Sequence, residues 1–104
     1  MLVDDIAHVR AGDKGDTLIL ALRAREEGGF ARLRDAVTPE RVARHFGDAL
    51  TGPVELREVP ALGALVLVLP GALGGGVTGS PTLDGHGKTL GYHLLAMPID
   101  DPAG

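Results

Sequence analysis

Two short, nearly unbroken apolar runs dominate the hydrophobic pattern of the chain. Residues 17–22 carry Leu18, Ile19, Leu20, Ala21 and Leu22, and residues 64–69 carry Ala64, Leu65, Val66, Leu67, Val68 and Leu69 before Pro70. Runs of this kind predict strands that are covered on both faces or packed at the centre of a sheet, although periodicity alone leaves a helix open for residues 17–22. Residues 6–10 predict a further short strand. It ends in Ala11-Gly12-Asp13-Lys14-Gly15-Asp16, where glycine and aspartate together predict a tight loop. Val54-Glu55-Leu56-Arg57 alternates like a half-exposed strand and is interrupted by Pro60.

Helical periodicity appears between these strands. Phe30, Leu33 and Val37 share one face of a predicted short helix over residues 30–37, with Arg32, Arg34 and Asp35 on the other side. Thr38-Pro39-Glu40 is a start signal: a hydroxyl for the N-cap, a proline at the first helical position and an acid in the first turn. Val42, Ala43 and Phe46 then form the apolar stripe up to Gly47. Further on, residues 80–84 predict an edge strand, and Leu90, Leu94 and Leu95 have helix-compatible spacing within residues 88–96. The tail after Ile99 is expected to fray. No repeat or linker divides the chain, so residues 1–104 are expected to form a single domain. The predicted fold class is α+β: a mainly antiparallel sheet of about four or five strands with about two or three helices on one face.

Composition narrows the function. Net charge is -4, which disfavours a phosphate polymer, and the only aromatics are Phe30, Phe46 and Tyr92, too few for a base-stacking platform. Nucleic acid is therefore not expected as a partner. The chain has no cysteine, so disulfides, thiolate nucleophiles and thiolate metal ligands are excluded. The early acids Asp4 and Asp5 are unlike a basic signal-peptide start, and no apolar run approaches the length of a membrane span. A cytoplasmic protein without membrane contact is expected.

Familiar catalytic motifs fail on context. Gly74, Gly76 and Gly79 have dinucleotide-loop spacing, but Pro81 follows where a helix must open. Gly87-Lys88-Thr89 resembles the end of a phosphate-binding loop, but Thr82 stands at the position of its first glycine; Gly85-His86-Gly87-Lys88 is better explained as a turn. His8, His45, His86 and His93 show no metal-ligand spacing, so neither metal nor cofactor is expected, and Ser80, the only serine, lacks a nucleophile's surroundings. His45 is expected to be a solvated or packed surface residue. Acid/base chemistry by His8, Asp13 or Asp16 stays open, since the three appear on or beside one loop. The informative features are the two glycine-rich stretches, Gly12-Asp13-Lys14-Gly15-Asp16 and Gly71-Ala72-Leu73-Gly74-Gly75-Gly76. Glycines let backbone N–H groups approach a ligand or another chain, and Lys14 supplies a cation for a carboxylate or phosphate. A purely structural turn accounts for the same residues.

Arg10, Gly12-Asp13-Lys14-Gly15-Asp16, Ala72-Leu73-Gly74-Gly75-Gly76-Val77-Thr78, Leu83-Asp84 and Gly87-Lys88, in that order, resemble the C-terminal ferredoxin-like domain of AtuA-family proteins, named for acyclic terpene utilisation. The resemblance spans nearly the whole chain. It implies a ferredoxin-like fold and a place in branched acyl-CoA or terpenoid catabolism, but no reaction. Many family members carry this domain behind a larger one, so the resemblance implies a small subunit or accessory domain that assembles with a large AtuA-like chain. The alternative is a stand-alone homo-oligomeric enzyme or a binding protein for an acyl-CoA or carboxylate. The implied ligand-binding or interface residues are Arg10, Gly12, Asp13, Lys14, Gly15, Asp16, Gly74, Gly75, Gly76 and Thr78. Ala11 stands where the family pattern has a serine and Gly79 where an arginine is common, which removes two anion-binding groups.

Overall fold

The computed structural model describes residues 1–73 and 83–99. Its elements are β1 (Ala7–Lys14), β2 (Thr17–Ala24), α1 (Phe30–Ala36), α2 (Pro39–Phe46), β3 (Glu55–Val59), β4 (Ala64–Leu69) and α3 (Leu83–Leu95). The four strands form one antiparallel sheet in the order β1-β2-β4-β3. The two apolar runs are thus its central strands, in an α+β fold.

Alternation within those runs decides which residues form the core. Leu18, Leu20 and Leu22 of β2 and Leu65, Leu67 and Leu69 of β4 are fully buried, whereas Ile19, Ala21, Val66 and Val68 between them are only partly so. Leu33 and Val37, Val42 and Phe46, and Leu94 bring α1, α2 and α3 into the same cluster as these leucines. All three described helices therefore serve one face of the sheet. α2 starts as predicted: the Thr38 hydroxyl accepts a hydrogen bond from the Arg41 backbone N–H at 3.2 Å, with Pro39 at the first position. The first residues meet the segment that follows α3, where Val3 N–H donates to Met97 O at 3.0 Å and Ile99 N–H donates to Met1 O at 2.8 Å.

Several predicted boundaries move. Gly12, Asp13 and Lys14 belong to β1, so the predicted loop shrinks to Gly15 and Asp16 between the paired residues Lys14 and Thr17. Gly15 has φ +64°, and among the described residues no non-glycine residue has positive φ, which is the requirement of a two-residue hairpin turn with glycine first. Charged and small residues there looked loop-like because β1 is an edge strand exposed from Arg10 to Lys14, and edges tolerate such residues. β3 runs from Glu55 to Val59, later than predicted, and Pro60 opens a single 3-10 turn. Leu83 and Asp84, predicted on an edge strand, open α3 instead, and Gly85-His86-Gly87-Lys88, predicted as a turn, lies inside it. Burial of Leu94 in the core outweighs the weak helix propensity of those glycines. The remaining residues of that predicted strand, Ser80, Pro81 and Thr82, lie outside the described residues, as does the tail after Ile99.

Candidate docking surface

The hairpin places the first glycine stretch along an edge of the sheet that no other described strand pairs with. Opposed residues of paired antiparallel strands share a face, so His8, Arg10, Gly12 and Lys14 lie on the face opposite the core, across from Arg23, Ala21, Ile19 and Thr17. Asp13 lies on the core-side face opposite Leu18, yet is exposed because it is near the end of an edge strand. Arg25 N–H donates to Ile6 O at 2.9 Å and Ala24 N–H to Gly63 O at 3.0 Å. That alternation directs the backbone groups of His8, Arg10, Gly12 and Lys14 to β2 and those of Ala7, Val9, Ala11 and Asp13 outward. Outward N–H and C=O groups on a strand exposed over most of its length are a template for an incoming chain.

The second glycine stretch approaches the same end of the sheet. Leu73 N–H donates to Asp16 O at 3.1 Å, which fixes the start of that stretch against the turn. The next residues assigned to the site, Gly74, Gly75, Gly76 and Thr78, lie outside the described residues. Gly71, which leads into them, has a structural role: its φ is +78°, and a Cβ there would lie 2.5 Å from Thr51 Oγ1 and 2.9 Å from Thr51 Cβ. Beside β1, a shallow groove of about 380 Å³ is lined by Val9, Arg10, Ala11, Gly91 and Tyr92, and Tyr92 is 68% exposed. Among the described residues that line it, Arg10 and Tyr92 carry polar side chains, which suit an anion or a backbone.

The acid/base grouping does not assemble. His8 and Asp13 are five residues apart on an extended strand, about 16 Å. His8 is engaged elsewhere: Arg25 Nη1 lies 3.2 Å from His8 Nδ1, while Arg25 Nη2 pairs with Asp4 Oδ1 at 2.9 Å. Among the described residues no cluster of three or more His, Asp or Glu side chains is placed to hold a metal ion. No helix among them is long and apolar enough to cross a membrane.

One side-chain pairing had no signal in the local sequence. His45 of α2 and His93 of α3 stack with ring centroids 4.1 Å apart and an interplanar angle of 15°. His45 Nε2–H donates to His93 O at 2.7 Å, and His93 Nε2–H donates to His45 O at 3.2 Å. Each ring thereby bonds a carbonyl in the last turn of the other helix, His93 O also accepting from Ala96 N–H at 3.2 Å, and the two helices are latched. The residues are 48 positions apart, beyond any motif spacing.

A family model described as the AtuA ferredoxin-like domain matches residues 1–100. No curated protein and no solved structure matches the chain.

Proposed function

The chain belongs to the AtuA ferredoxin-like domain family, and from that membership we propose that it is a small subunit or accessory domain of an AtuA-type protein, assembling with a large AtuA-like chain in branched acyl-CoA or terpenoid catabolism in the cytoplasm. In this reading residues 1–104 act as one domain. The observation that supports it is the exposed β1 edge, with the backbone groups of Ala7, Val9, Ala11 and Asp13 turned outward and the Gly15–Asp16 turn held next to the start of the second glycine stretch. A strand of the large chain adds to this edge, with Lys14 meeting an acidic group beside it. In the absence of that chain, the same edge pairs with a second copy, giving the homo-oligomer.

Co-expression of the tagged protein with a large AtuA-like chain tests this reading. Joint recovery in a fixed ratio supports it, and failure to recover the large chain in any buffer refutes it. Ala11→Pro sharpens the test, because it deletes one outward N–H and leaves the bonds to β2 intact. The variant should fold and lose the partner. Lys14→Ala removes a charge-assisted contact worth about 1.5 to 3 kcal/mol and should weaken assembly about ten- to a hundredfold.

The groove of Val9, Arg10, Ala11, Gly91 and Tyr92 favours a second reading, in which the protein binds an acyl-CoA or a carboxylate there. Thermal stabilisation of the isolated protein by a CoA ester, lost in Arg10→Ala, distinguishes it from assembly alone.

A further inference from the structure

The sheet has a second surface, separate from its edge. The paired register arranges the face opposite the core in rows: Gly12, Ile19, Val68 and Glu55; then Arg10, Ala21, Val66 and Arg57; then His8, Arg23, Ala64 and Val59. Ile19, Ala21, Val66 and Val68 form a central apolar block, and each is partly exposed. A sheet face that meets water normally carries polar side chains at such positions. Arg10 and Arg57 stand at opposite edges of one row, three strand spacings or about 14 Å apart. Arg23 and Lys14 extend the cationic border, and all four are exposed.

Charge is segregated onto this face. Among the paired strand residues of this face, Arg10, Lys14, Arg23 and Arg57 oppose a single carboxylate, Glu55, which lies 3.9 Å from Arg57. The whole chain nevertheless has a net charge of -4. Two copies placed face to face would set cationic borders against each other, which disfavours self-association here. An apolar block about two strands wide, with Arg10 on one side and Arg57 on the other, complements an α-helix, whose diameter with side chains is about 10–12 Å.

We infer that the face formed by Ile19, Ala21, Val66 and Val68 binds an amphipathic helix of a partner protein, with an apolar stripe on the block and acidic residues on both flanks meeting Arg10, Arg23 and Arg57. The helix completes a second layer over the sheet and supplies the cover that two-sided apolar strands call for. Edge pairing through β1 is not required for it.

The probe is a synthetic peptide of about 18 residues, about 27 Å long as a helix, with a leucine stripe flanked by glutamates; a second peptide carries lysines in their place. Nuclear magnetic resonance of the labelled protein reports the contact surface. The acidic peptide should shift the amides of Ile19, Ala21, Val66 and Val68, and the basic peptide should not. Raising salt to about 0.5 M should weaken binding several-fold, and Arg23→Glu combined with Arg57→Glu should weaken it at least about tenfold. Val66→Asp, at a partly exposed position, should keep the fold by circular dichroism and lose the peptide. Equal binding of both peptides, shifts confined to the helices, or unchanged binding by Val66→Asp overturns the inference. So does flotation with anionic vesicles without peptide binding, which would make the face a lipid contact, or self-association abolished by Val66→Asp, which would make it a dimer interface. Loss of the large chain in Ala11→Pro with peptide binding retained separates this surface from the β1 edge.

Discussion

At the scale of single residues, the glycines divide by what surrounds them. Gly71 has positive φ and no room: a Cβ would meet Thr51. Gly71→Ala should therefore lower the melting temperature markedly, by about 4–8 °C for each kcal/mol lost. Gly91 is buried inside α3 with ordinary spacing around it, a Cβ standing 3.6 Å from Val9 Cγ1 and 3.8 Å from Leu20 Cδ2. Gly91→Ala should raise stability by about 0.5–1 kcal/mol through helix propensity, seen as a higher melting temperature; a lower one would show that α3 packs closer than these distances. Gly15 has open space but φ +64°, so Gly15→Val should cost about 1–2 kcal/mol from backbone strain. Its neighbour Lys14 is exposed, and Lys14→Ala should change stability by no more than about 0.5 kcal/mol. Parallel melts of the two variants check the contrast, and unfolding by Lys14→Ala would make that end of β1 structural rather than a docking element.

At the scale of elements, α2 is the one most completely encoded by its own residues. The cap, the proline and the apolar stripe are neighbours in sequence, and the structure uses each of them. Thr38→Ala should destabilise the protein by about 1 kcal/mol, read as a shifted denaturant midpoint at unchanged slope. β1 was legible only in part. Gly12, Asp13 and Lys14 have the composition of a loop and the conformation of a strand, because pairing with Ile19, Leu18 and Thr17 carries the ladder to the turn. α3 was misread at its start for a related reason: Gly85 and Gly87 weaken the local helix signal, and the element is held by Leu90, Leu94 and the latch of His93 on His45.

At the scale of the whole molecule, one face of the sheet is packed and the other combines an apolar centre with a cationic border, the arrangement on which the proposed docking of a partner helix rests. Light scattering of the isolated chain should return a mass above the monomer's 10.7 kDa, because an exposed edge strand of this length pairs readily; a monomer at micromolar concentration would count against the edge as a docking element. Sequence alone determined the central position of β4, the capped helix and the α+β class, since each is written in the periodicity or capping of adjacent residues, whereas for β2 periodicity left a helix open. Within the central strands it did not determine that the leucines face the core while Ile19, Ala21, Val66 and Val68 face outward, because an apolar run carries no alternation to read. It also did not reveal the histidine latch, or that His8 parts from Asp13 and Asp16. Tertiary structure decided these, because the face that is covered and the side chains that meet depend on where distant segments pack, and residues next to one another in the chain do not record that placement.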